Sequence, residues 1–280
     1  MLLHDLFKRQ NAVTNRRSVR VVPARCPLQL VLRLFLFSML PGCYLDAPPS
    51  SPEVISERLS ALLVDPDPDM RRTSTEALGK IGHRSATVGL LSALNDHDAR
   101  VRAAAAFSLG RLGGGDGVTS LVRHLADPAE TVRTASALAL GELERSPGRE
   151  AQIVEALHHP DSSVRIAASR ALLGLESISF SDDLVGALRD SNAMVRQGIV
   201  AALGETGDAR VLPYFLALLR TDIAPGVRSE AAFRLGKVGD ERVLADLEVV
   251  ASTDSDQGVR GWARWAIHQA MQSRGFDSGK

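Results

Sequence analysis

One phrase, repeated seven times, constrains this chain more than any other feature. An Asp closes one apolar segment, a short polar turn follows, Val-Arg opens a second segment, Ala fills it and Leu-Gly ends it. Asp96 to Gly113, DHDARVRAAAAFSLGRLG, is the clearest copy. The opening residue falls at Met70, Val101, Val132, Val164, Val195, Val227 and Val259, and an Arg follows each: Arg71, Arg102, Arg133, Arg165, Arg196, Arg228 and Arg260. Five positions earlier stand Asp65, Asp96, Asp127, Asp190, Asp222 and Asp254; the fourth copy has His159 there, with Asp161 two residues later. The copies are 31 or 32 residues apart. A constant period of this length specifies a stack of supersecondary units, each burying its apolar face only against its neighbours.

Each unit reads as two helices. Counted from the Val, offsets 0, +4 and +8 share one helical face. Offset +4 is mostly small (Ser74, Ala105, Ser136, Ala168, Ile199, Ala231, Ala263), and +8 is Leu or Ile (Leu78, Leu109, Leu140, Leu172, Leu203, Leu235, Ile267). Large residues fill the space within a hairpin, and small ones let the next hairpin approach. Pro66, Pro128, Pro160 and Pro225 are expected at helix starts, where a missing N–H costs nothing. Gly79, Gly110, Gly141, Gly204 and Gly236 are expected to close second helices in the left-handed conformation. Copy four carries an extra residue before Gly174 and lacks the Asp, which makes it the expected site of a bend.

The pattern resembles the HEAT repeat, most closely the short bacterial form of the phycobilisome-lyase type, over about residues 52–272. The resemblance implies an all-α right-handed superhelix of about seven helical hairpins. It also implies that the Asp and Arg residues form a structural ladder along the turns: Asp65, Arg71, Asp96, Arg102, Asp127, Arg133, Arg165, Asp190, Arg196, Asp222, Arg228, Asp254 and Arg260, each Arg bridging to an Asp of its own or the next repeat. It does not fix an activity, because one fold hosts many functions.

The N-terminal region differs. Residues 1–42 carry a net charge of +6, so the remainder of a chain that sums to zero is −6. An acidic body lacks the field that draws in a phosphate backbone, which argues against nucleic acid and against a HEAT-like DNA glycosylase. Basic residues precede the apolar run 28–40, LQLVLRLFLFSML, which Arg33 interrupts; Leu40-Pro41-Gly42-Cys43 and a Pro/Ser-rich stretch follow. That order is the order of a secretory signal, and Leu-x-Gly-Cys resembles a bacterial lipobox, which implies lipidation of Cys43. The expected organisation is a lipoprotein-like signal at 1–42, a flexible tether at 43–52, the repeat domain at 53–272 and a tail at 273–280, with the protein membrane-anchored in a bacterial cell envelope. The apolar run is shorter than the roughly 20 residues of a spanning helix. The chain has two cysteines, Cys26 and Cys43; cleavage before Cys43 leaves no thiol in the body for a disulfide or a metal.

No catalytic constellation stands out. The seven histidines form no His-x₃-His pair and no His-Glu dyad, so the di-iron hydroxylase that shares this repeat is a poor match. Gly113–Gly117 lacks the Lys-Ser/Thr of a phosphate loop. Asp65, Asp67 and Asp69 resemble the start of a calcium loop but are read as a capped turn, and His158 and His159 as a solvated helix end. No cofactor is expected. Second helices of HEAT repeats line the concave face, and offset +6 leans towards it: Glu76, Phe107, Leu138, Arg170, Ala201, Phe233 and Trp265. Phe107 is read as inter-repeat packing. Phe233, Trp262 and Trp265 are the candidate contacts, since aromatics anchor protein interfaces; Phe233 is the best single one, and the first reading of the tryptophans is that they close the open end of the stack, which every solenoid must cap. The expected function is a non-enzymatic scaffold whose partner is another protein. The alternative is a bilin-lyase-like enzyme, which would be expected in the cytoplasm.

Overall fold

The computed structural model describes residues 51–143, 148–175, 177–238 and 241–277; within the last stretch, the side chains of Glu241 and of residues 273–277 are excepted. Described residues form fourteen α-helices and no strand, in seven hairpins. The helices are α1 (Pro52–Ala61), α2 (Pro68–Ile81), α3 (Thr87–Ala93), α4 (Ala99–Leu112), α5 (Val118–His124), α6 (Glu130–Glu142) and α7 (Arg149–Glu155). They continue as α8 (Ser162–Leu173), α9 (Asp182–Ala187), α10 (Ala193–Glu205), α11 (Leu212–Thr221), α12 (Pro225–Val238), α13 (Leu244–Thr253) and α14 (Gln257–Asp277). Odd helices open each hairpin and even helices close it. The fold is an all-α solenoid. The last helix runs to Asp277, past the expected start of the tail at 273.

The hairpin cores follow the sequence pattern. Leu78, Leu109, Leu140, Leu172, Leu203 and Leu235 are each no more than 2% exposed, and the small +4 residues are buried beside them. One continuous core runs from Leu78 to Ala266. Even helices pack along their even neighbours, whereas odd helices touch their odd neighbours only sparsely.

The glycines near the ends of the even helices correct the expectation. Gly79, Gly110, Gly141, Gly204 and Gly236 lie inside helices, and the glycines with positive φ are Gly82, Gly113, Gly114, Gly148 and Gly207. Their role is close approach between even helices. A Cβ on Gly110 would come within 2.8 Å of Ala139 Cα, and one on Gly141 within 2.8 Å of Gly174 Cα. The Leu-Gly signal is one of packing, because the missing Cβ is what lets neighbouring backbones meet.

The prolines also shift. Pro225 begins α12, but Pro66, Pro128 and Pro160 precede their helices by two residues and sit in the polar turn. Asp67, Asp98, Asp161 and Asn192 cap the even helices instead, each accepting from a backbone N–H two residues on. Asp65 and Asp67 thus act as turn and cap acceptors in succession.

Candidate protein-binding face

The ladder is the frame that sets the even helices in register. Five arginines make the same bonds. Nε and Nη2 of Arg71 reach the carboxylate of Asp96 in the next hairpin at 2.6 and 2.9 Å, and Nη1 donates to the carbonyl of Asp65 in its own turn at 2.7 Å. Arg102 pairs likewise with Asp127, Arg165 with Asp190, Arg196 with Asp222 and Arg228 with Asp254. Each ladder Asp also accepts the backbone N–H two residues on, at 2.7–2.9 Å. Such bidentate, charge-assisted bonds fix both distance and angle.

The aspartates are held below the ordinary carboxylate range. For Asp96 and Asp254 the largest cause is the arginine bond. For Asp127, Asp190 and Asp222 burial is the largest influence and acts upwards, but the arginine and backbone N–H bonds together outweigh it. The carboxylate partner lies in the next repeat, and the own-repeat contact is to a carbonyl.

The ladder has one gap. Arg133 keeps its bonds to the carbonyls of Asp127 and Pro128 at 2.8 and 2.9 Å. Among the described residues no carboxylate fills its fork, because His159 stands in the aspartate's place. His159 Nδ1 accepts the Asp161 N–H at 3.1 Å, so it keeps the turn while losing the pair. The adjoining even helices, α6 and α8, meet through Gly141 and Gly174. Arg149, 5% exposed, donates to the carbonyls of Leu140 and Leu143 and ties α7 to the end of α6. In the last described hairpin Arg260 donates to the carbonyls of Asp254 and Ser255, at 2.7 and 3.1 Å, and pairs with no carboxylate among the described residues.

Phe233, Trp262 and Trp265 come together as one cluster. Phe233 stacks on Trp265 with centroids 5.2 Å apart, meets Trp262 edge-on at 5.3 Å, and the two indoles are perpendicular at 5.7 Å. All three are half-buried. The tryptophans therefore pack back against repeat six. The open side of α14 presents Gly261, whose Cβ position meets nothing within 4 Å, with exposed Arg264, His268 and Met271. Offset +6 is not uniformly surface: Ala201 is buried, while Phe107 is 47% exposed and so is a surface residue, contrary to the packing role expected of it.

Beneath the cluster lies a charged network that the repeat pattern did not reveal. Arg234 is 1% exposed and bonds to Glu230 at 2.8 Å and to Glu205 of the preceding repeat. Lys237 reaches Glu205 at 3.2 Å and lies 5.8 Å from the centre of the Phe233 ring. Burial tends to raise the Glu205 carboxyl, but Arg234 and Lys237 hold it below its ordinary range. A signal was available in the sequence. Offset +7 is Ala77, Ser108, Ala139, Ala171, Ala202 and Ala266 in the other copies, so Arg234 is the one large charged residue at a position otherwise kept small.

Among the described residues no group of three or more His, Cys, Asp or Glu could hold a metal, and no helix is long and apolar enough to cross a membrane. Cys43 and the apolar run before it lie outside the described residues.

The family model for HEAT repeats matches residues 55–141, 150–234 and 181–268. The chain belongs to the HEAT-repeat family. Solved structures are similar to this chain. A HEAT-like repeat protein from the archaeon Thermococcus onnurineus NA1 is 14% identical with a TM-score of 0.51, covering 81% of this chain and 99% of that one. The Escherichia coli protein YibA is 20% identical with a TM-score of 0.50, covering 95% and 96%. The complex of CpcE and CpcF of phycocyanin lyase from Nostoc sp. is 20% identical with a TM-score of 0.45, covering 84% and 92%. At these identities the likeness is one of fold. No curated protein matches the chain.

Proposed function

We propose that this HEAT-repeat protein is a non-enzymatic scaffold that binds another protein on the exposed surface of its even helices, and that lipidated Cys43 tethers it to a bacterial envelope membrane. The observation that carries the binding reading is the Phe233–Trp262–Trp265 cluster. Half-buried aromatics over a fixed polar base have the make-up of an interface anchor, offering large contact area with little side-chain freedom to lose. The Arg234–Glu230–Glu205 network holds Phe233 and its neighbours in place, in a position where the other repeats need only a small residue. The ladder keeps consecutive even helices in one register, so a partner meets a fixed surface. The membrane reading rests on the order of charged region, apolar run and Leu-x-Gly-Cys before the repeats.

Two measurements test this. Isolation of the tagged full chain from membranes should recover a discrete, saturable partner that Phe233→Ala/Trp265→Ala loses and Val88→Ala, on an odd helix, retains. Loss with Val88→Ala alone would refute the assignment of the face, and a covalently bound tetrapyrrole on the recovered partner would move the reading to a lyase. The intact mass of the membrane-extracted chain should correspond to a start at Cys43 plus acyl groups, and Cys43→Ala should abolish that mass. An unmodified chain beginning at Met1 in the soluble fraction would refute the tether.

A further inference from the structure

The even-helix surface has a second, chemically different feature at the opposite end of the array. Between α2 and α4 lies a cleft of about 340 Å³, lined by Glu76, Lys80, Arg100, Ala104, Phe107, Ser108 and Arg111. Most of its polar groups are committed. Glu76 accepts from Arg72 at 2.5 Å, Arg100 is held by Asp98 at 2.8 Å and Asp69 at 3.1 Å, and the Ser108 hydroxyl donates to the Thr75 carbonyl at 3.0 Å. Lys80 and Arg111 are not: both are exposed, and neither forms an ion pair among the described residues. Glu142 of the next repeat senses Arg111 electrostatically without pairing with it. The cleft therefore carries two uncommitted cations around the Phe107 ring, in a body whose net charge is negative.

We infer that this cleft is the docking site for an acidic peptide segment of the partner, with its carboxylates on Lys80 and Arg111 and an apolar side chain on Phe107. The assignment rests on the reading of the even-helix surface as a partner site. Three features favour a peptide over a small anion. The cations are exposed, so each alone holds an anion weakly against solvent. Lys80 and Arg111 occupy the same position in adjacent repeats, and adjacent helices lie about 8–10 Å apart. A peptide in the extended polyproline II conformation covers that span in roughly three residues at ~3.1 Å each and returns to the same face at i+3, so a segment such as Glu-Leu-x-Glu reaches both cations with its apolar residue between them. The exposed Phe107 ring also calls for an apolar contact that phosphate does not supply.

The test is fluorescence anisotropy with the purified full chain and a labelled dodecapeptide of four Glu-Leu-Ser repeats, which contains the Glu-Leu-x-Glu spacing. The expected result is saturable binding that weakens on added salt, falls at least tenfold in Lys80→Glu/Arg111→Glu, falls about threefold or more in Phe107→Ala and is unchanged in Trp265→Ala. None of these side chains is buried, and unchanged circular dichroism would show the fold intact. Undiminished affinity in the double variant, equal affinity for the peptide with Gln in place of Glu, or displacement by an equal concentration of a single-stranded oligonucleotide would overturn it; the last would mean that the cleft reads polyanion charge. The two readings fail separately. A partner lost by Trp265→Ala but indifferent to Lys80→Glu/Arg111→Glu refutes the cleft alone. A cleft that binds the peptide while Trp265→Ala keeps the partner refutes the proposed anchor.

Discussion

Replacing His159 with Asp should close the ladder and stabilise the array. Arg133 is already placed for the pair: its Nη1 bonds to Asp127 and Pro128 match those of the five filled forks. The carboxylate introduced by His159→Asp would accept the Asp161 N–H as the imidazole does, in the geometry Asp96 uses towards Asp98. Its charge would sit near the N-terminus of α8, where the helix dipole favours an anion. An Asp two residues from another is no obstacle, since Asp96 and Asp98, and Asp254 and Asp256, already coexist. A filled pair such as Arg102–Asp127 has side chains 13% and 5% exposed, between the surface and buried limits. Hydrogen bonds to charged groups contribute about 1.5–3 kcal/mol, and desolvation removes part of that. A net gain of about 1–2 kcal/mol follows, or a Tm rise of roughly 2–6 °C for an array of this size. Because repeat stability is a sum of local and neighbour terms, the gain should also appear as slower hydrogen exchange at the start of α8 and along α6. The control is Arg133→Gln, in which His159→Asp should add nothing. A Tm that does not rise, or a rise that survives Arg133→Gln, would refute the ladder account of this joint.

Three further predictions concern packing, acid and the buried network. Gly141→Ala should destabilise by about 1–3 kcal/mol despite its better helix propensity, because the new methyl would meet Gly174 backbone at 2.8 Å; Gly186→Ala, with nothing within 4 Å, should stabilise by roughly 0.5–1 kcal/mol. Urea melts of both variants decide it. The ladder aspartates have folded pKa values below the unfolded value of about 3.9, so the unfolded chain binds more protons in that window and stability falls as pH drops through it. Stability should be full above about pH 5, and Asp127→Asn should be weaker at neutral pH with a flatter acid limb; an unaltered limb would contradict the pairing. Glu230→Leu should cost about 2–4 kcal/mol by leaving Arg234 short of a buried partner, and Glu230→Leu/Arg234→Met should recover most of it. Failure of the double variant to recover would mean that the network is not what holds this site.

The hairpins were legible because the period of 31–32 residues and the 0/+4/+8 face are local properties of the chain. The ladder residues were legible for the same reason, but their partners were not: nothing in Asp-x₅-Arg says whether Arg71 reaches Asp65 or Asp96. The structure gives both answers, a carbonyl in one repeat and a carboxylate in the next. Leu-Gly reads as a helix ending because glycine is usual there, yet Gly110 faces Ala139 of another helix, a contact that depends on how repeats stack. Phe107 and Arg234 share this origin. Whether an offset of +6 or +7 is surface or seam changes from repeat to repeat, as buried Ala201 and exposed Phe107 show. Arg234 was visible as a departure from a small-residue column, and departures from a repeat are where function is best sought.

The most direct test of the central claim is site-specific photo-crosslinking in cells producing the full chain. A photoreactive residue would be placed in turn at 107, 233 and 265 on even helices, and at 88 and 249, exposed positions on odd helices. The account predicts one discrete protein adduct from the even positions, absent from 88 and 249. Adducts only from 88 and 249, or equally from both sets, would contradict the claim that the even-helix surface is where this HEAT-repeat protein meets its partner.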